Sequence, residues 1–173
     1  MPDIAALGQV STIATHGAIT VWGAISGFLV IIVPTLVFVL FTRYVGRGQL
    51  VALLLAFYAS YALYVAFPYV SVLPSAPAIT ALAVRLGLYG ALTALFYIIL
   101  RRVVVSDFLH IGLIGLILLS LLATCFLIAL AYHVFPVSEL YHFNTALDPL
   151  FAPKAFFFWW FLGPAVGLLF FAK

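Results

Sequence analysis

The chain has 173 residues, of which 68% are hydrophobic and only 6% charged, with a formal net charge of +3. A soluble domain carries about 25% charged residues, so this composition excludes a water-covered globule and leaves the bilayer as the solvent. The basic residues are too few and too scattered for a nucleic-acid surface, and the single cysteine, Cys125, excludes an internal disulfide and dithiol chemistry.

Residues 1–18 are mildly apolar, with Asp3 and His16 as their only ionisable side chains. They lack the basic start and compact apolar core of a cleavable signal, and are expected to stay on the mature protein as a loose terminus or a short interfacial helix. Five apolar runs follow, near 19–42, 49–69, 78–100, 109–134 and 155–172. Each is long enough for the ~30 Å of hydrocarbon that about 20 helical residues cross. Bilayer offers no partner for an unpaired amide, so each run is predicted to be a helix. Continuous apolarity, without alternation, excludes a β-barrel. The expected fold is an all-α integral membrane bundle of five helices, one domain over 1–173, with 135–154 as its long loop.

The first run carries Gly23 and Gly27 on one face with Pro34. The glycines are expected to let a neighbouring backbone approach, and the proline to bend the helix. Ser26 between them is read as part of that face, in preference to a nucleophile with His133 as its base. The connection Thr42-Arg43-Tyr44-Val45-Gly46-Arg47-Gly48-Gln49 holds two arginines, and its two glycines are expected to allow a tight reversal. The second run is two-faced. Tyr58, Tyr61 and Tyr64 mark one side and Ala52, Ala56, Ala59, Ala62 and Ala66 the other, and the alanine side is expected to meet another helix. Tyr64 and Tyr69 are expected to reach the interface, and Tyr58 to bond to another helix.

The third run bears a stripe of Ala83, Gly87, Gly90, Ala91 and Ala94, likewise predicted to pack. Arg85 is the one charge inside a span, and an intramembrane charge is a functional-site hypothesis by default. It lies seven residues from its helix start and on the side of Leu82, Tyr89, Leu92 and Phe96, away from the stripe. It is therefore expected to face outward and snorkel to the headgroups. A buried partnership would put Tyr61 or Tyr64 beside it. The fourth run is the most aliphatic. The fifth opens on Phe156-Phe157-Phe158-Trp159-Trp160, an aromatic belt, and continues with Gly163 and Gly167 around Pro164.

Arg43, Arg47, Arg101 and Arg102 fall in the first and third connections, while the second has no charge and the fourth holds Glu139, Asp148 and a single Lys154. The positive-inside rule then sets the N-terminus outside and the C-terminus in the cytoplasm, as an odd number of spans requires. On the outer side His133, Glu139, His142 and Asp148 are weak candidates for a metal site, with isolated interfacial histidines as the plainer expectation. No metal and no cofactor is expected.

The segment Phe41-Thr-Arg-Tyr-Val-Gly-Arg-Gly-Gln-Leu50, followed by a helix of tyrosines and alanines, resembles the opening of the colicin V production family. These are small bacterial inner-membrane proteins in which an Arg-Gly turn joins the first two spans. The resemblance rests on Arg47-Gly48 and on hydropathy order to about Val134. The acidic residues such proteins often carry near the first span and after the turn are absent. It implies a multi-pass protein of the bacterial inner membrane with an accessory or scaffold role.

The expected function is that of a non-catalytic scaffold or accessory subunit, whose partners are lipid and other membrane proteins or further copies met through small-residue faces. A transporter or channel component is the alternative, which a water-filled cavity reaching mid-membrane would mark. An enzyme or metal site on the long loop is the third, which convergence of His133, Glu139, His142 and Asp148 would mark.

Overall fold

The computed structural model describes residues 27–69, 73–74, 77–103, 112–135, 137 and 147–171. Among them every regular element is helical: α1 (Gly27–Val45), α2 (Arg47–Val65), α3 (Ala78–Val103), α4 (Leu113–His133), the single turn α5 (Asp148–Phe151) and α6 (Lys154–Phe171). Four of them, α1 to α4, have the length and apolarity to cross a membrane, as a multi-pass membrane protein requires. The fifth apolar helix, α6, is shorter than these four.

One residue joins α1 to α2. Gly46 has φ +116°, a backbone conformation that L side chains rarely adopt, and its N–H donates to the Thr42 carbonyl at 3.0 Å. Gly46 alone makes the corner. Gly48, expected to share in the reversal, lies buried in the first turn of α2. The first connection is thus shorter than expected, because helical geometry continues through Thr42 to Val45 and resumes at Arg47.

The Tyr97 hydroxyl reaches the Gln49 side chain at 3.2 Å, and the Tyr89 hydroxyl donates to the Phe57 carbonyl at 3.1 Å. These two bonds set α3 antiparallel to α2. They bring the last turn of α3, with exposed Arg101 and Arg102, to the end where Arg43 and Arg47 stand exposed at the corner. All four arginines therefore gather at one end of the bundle, two of them in the final helical turn, where cations favour the dipole. The other end carries the close of α2 and α4 and the start of α6.

The core is built on α2 and α4, each buried over half or more of its length, whereas α1 and α3 are mostly exposed. Leu54, Phe57, Leu119, Phe126 and Leu130 close against one another, joined by Phe38 from α1 and Tyr89 from α3. Between α1 and α4, the Thr35 and Thr124 hydroxyls lie 3.0 Å apart, and each also has a carbonyl of its own helix within reach, Ile31 and Ser120 respectively.

Two expectations about packing faces change here. On α2, Ala52 and Ala56 are fully buried, but Ala62 and Ala66 are exposed. Toward that end the tyrosines pack instead, and Tyr64, expected at the interface, is buried beneath Tyr89 and Phe135 with ring centroids 6.2 and 5.6 Å away. On α3 the reversal is complete. Ala83, Gly87, Gly90, Ala91 and Ala94 are all exposed, and a Cβ added at Gly87 or Gly90 would meet nothing within 4 Å. The helix turns Ala81, Tyr89 and Thr93 inward, because large amphipathic rings gain more contact with α2 and α4 than the small stripe would.

Candidate functional site

Reversing α3 moves Arg85. It shares its face with buried Ala81 and Tyr89, so it stands on the bundle side, half-buried, and not on the outward side expected for it. It sits one turn beyond Tyr89, whose ring meets Phe135 just past the end of α4. Arg85 is therefore level with the ends of both neighbours and close to the Tyr64 phenol. Its Nε is shut off from solvent with no hydrogen-bond partner among the described residues, while its terminal nitrogens are not so enclosed. An arginine placed this way keeps its tip wet and its stem among rings.

Across α2 from Arg85, the same end of the bundle holds an open cavity of about 250 Å³ lined by Tyr61, His133, Val134, Lys154 and Phe157. The final residue of α4 supplies His133, and the first residue of α6 supplies Lys154. His133 Nε2 lies 2.8 Å from the Phe151 carbonyl. A carbonyl only accepts, so that nitrogen carries the proton. The ring stacks edge-on to Phe157 at 5.0 Å.

Asp148 is held apart from this cavity. The Tyr132 hydroxyl donates to its carboxylate at 2.8 Å, Tyr132 stacks on Phe151, and Phe151 stacks on Trp160 at 4.9 Å. The Trp160 N–H then donates to the Leu150 carbonyl at 2.8 Å. The single turn of α5 is thus clamped onto α4 and α6. His133 and Asp148 each have structural partners, and no group of three metal-ligating side chains forms among the described residues. Glu139 and His142, the other two candidates, lie outside the described residues, as does Gly23.

The remaining glycine expectations divide. Gly167 is buried, and a Cβ at Gly163 would come 3.3 Å from Leu122 Cδ2, so this pair does face α4. Gly27 is buried at the start of α1. Two further cavities, about 380 Å³ between α4 and α6 and about 320 Å³ between α1 and α4, are troughs lined by apolar side chains apart from Thr35. The Tyr61–His133–Lys154 cavity is not legible in the sequence, since its three polar groups come from three helices far apart in the chain.

No family model, characterised protein or solved structure matches this chain.

Proposed function

We propose that this is a five-span protein of the cell membrane, N-terminus outside and C-terminus in the cytoplasm, acting as a non-catalytic scaffold or accessory subunit of a membrane assembly. The observation that carries this reading is the exposed face of Ala83, Gly87, Gly90, Ala91 and Ala94 on α3, where among the described residues nothing lies within 4 Å of a Cβ built at Gly87 or Gly90. Small residues let a second helix backbone come close, and in lipid that close packing is a main source of helix association. The occupant is a helix of another membrane protein or of a second copy. α6 is the fifth span in this reading, with the aromatic belt at its start as an interfacial anchor. The resemblance to colicin V production proteins belongs to the same proposal and points to the bacterial inner membrane.

Transport is less well supported, because the troughs between helices are apolar and offer no polar path among the described residues.

A single cysteine at Gly87, cross-linked in native membranes, tests the scaffold reading, with Leu169→Cys on the exposed side of α6 as reference. Cross-linking at Gly87→Cys and not at Leu169→Cys is expected. No product at Gly87→Cys, or equal yields at both positions, removes the basis for the assignment. Cys125 is buried in α4 and adds little background.

A further inference from the structure

We propose that the cavity between the ends of α2, α4 and α6 is a binding site for a phosphate-bearing group, and that the phosphodiester of a membrane phospholipid is its occupant. This inference does not depend on the scaffold role of α3 or on which face of the membrane the cavity meets.

Three observations carry it. The first is the donor set. Lys154 makes no ion pair among the described residues, and the Tyr61 hydroxyl makes no hydrogen bond among them, yet both line one cavity with His133 and Phe157. A compact ammonium and a phenol O–H are both donors, and a phosphate oxygen accepts charge-assisted bonds more strongly than a neutral acceptor does. The positive end of the α6 dipole adds to the Lys154 charge. Asp148, the nearest acid in the chain order, is held by Tyr132 and does not neutralise the lysine.

The second observation is size. At about 250 Å³ the cavity falls just below the ~300–1,000 Å³ of sites that enclose a whole small molecule. It suits a headgroup fragment whose remainder stays outside. The third is depth. Phe158 and Trp159, 60% and 65% exposed, begin the same helix that supplies Lys154. A tryptophan, with its polar N–H edge, settles at the level of lipid headgroups, so Trp159 holds the cavity at the depth where lipid phosphate is found. Phe157 and Val134 form an apolar wall beside the donors, as the glycerol side of a headgroup needs.

The experiment is lipid binding by native mass spectrometry on the full chain, with phosphatidylglycerol, phosphatidylcholine, diacylglycerol and glycerol phosphate as probes. Wild type is expected to retain both phospholipids and not diacylglycerol. Lys154→Gln should weaken phospholipid retention about tenfold and Tyr61→Phe about threefold, while Lys154→Arg restores it, since a cationic donor is kept. Displacement of the phospholipid by glycerol phosphate at comparable concentration would make a free phosphate ester the occupant, against the lipid assignment. Equal retention of diacylglycerol, or unchanged retention in the Lys154→Gln, Tyr61→Phe double variant, would overturn the site. Lys154 is exposed, so its replacement leaves the fold in place. An unchanged thermal midpoint of lipid-free Lys154→Gln confirms that.

Discussion

The Tyr58 hydroxyl, from α2, donates to the main-chain carbonyl of Phe161 in α6, with the Ala165 amide beside that hydroxyl. Pro164 stands between those two groups and has no N–H of its own. A proline in a helix interior removes one rung of the ladder and crowds the carbonyls of the preceding turn. The rung that Pro164 removes is the one to the Trp160 carbonyl, four residues back, whereas the Tyr58 bond falls on the next carbonyl, that of Phe161. The same ring stacks on Phe126 of α4 at 5.0 Å and meets Phe161 edge-on, so Tyr58 ties three helices together.

Tyr58→Phe keeps the rings and deletes the bond. It should lower unfolding stability in bicelles by about 0.5–1.5 kcal/mol, the range of hydrogen bonds between membrane helices. Pro164→Ala restores an amide to the Trp160 carbonyl and not to that of Phe161, so the cost of Tyr58→Phe should be unchanged in that background. A double-mutant cycle reads the difference. A smaller cost in the Pro164→Ala background would show that the proline weakens the Phe161 carbonyl's own helical bond.

The glycines of α3 and α6 should behave oppositely. A Cβ at Gly163 comes 3.3 Å from Leu122 Cδ2, whereas at Gly87 it meets nothing. Gly163→Leu should push α6 from α4 and destabilise by about 1–3 kcal/mol, while Gly87→Leu should stay within about 0.5 kcal/mol. Thermal unfolding of the isolated protein in detergent separates them. A large loss at Gly87 would mean that the stripe packs after all within one chain.

Arg85 has no hydrogen-bond partner at Nε among the described residues. Arg85→Lys should therefore remain within about 0.5 kcal/mol of wild type, and Arg85→Leu should be neutral or stabilising by up to about 1 kcal/mol, since a buried unpaired donor is lost. Unfolding in bicelles decides, and a loss above about 1 kcal/mol in Arg85→Lys would reveal a partner that needs the planar guanidinium.

Within α4, Ser120 Oγ is buried without a hydrogen-bond partner among the described residues, while Thr124 touches Thr35 of α1. Ser120→Ala should be neutral or slightly stabilising, and Thr124→Val should cost about 0.5–1.5 kcal/mol. Reversed ranking of the two in equilibrium unfolding would contradict these contacts.

The arginine end of the bundle supplies the topology test. A membrane-impermeant thiol reagent added to sealed cells should leave Arg47→Cys and Arg101→Cys unlabelled. Labelling at either position would place the arginines outside and invert the proposed orientation.

The sequence by itself determined the all-helical class of fold, because long continuous apolar runs with 6% charged residues pair their backbone within helices and lack the alternation that a closed barrel needs. It also located the corner at Gly46 to within a few residues, marked the arginines that share one end, and showed that mid-membrane Tyr58 needed a partner on another helix. Only the tertiary structure decided which side of each helix faces inward. Along α3, small residues and tyrosines lie on opposite faces, and both are good ways to pack in a bilayer. Hydropathy cannot choose between them, since lipid and protein interior are equally apolar. The choice was made by partners distant in the chain: Phe57 offers its carbonyl to Tyr89, and Phe135 closes over Tyr64. The cavity of Tyr61, His133 and Lys154 was hidden for the same reason. Its members are separated by 72 and 21 positions in the sequence and meet only because α2, α4 and α6 bring those ends together.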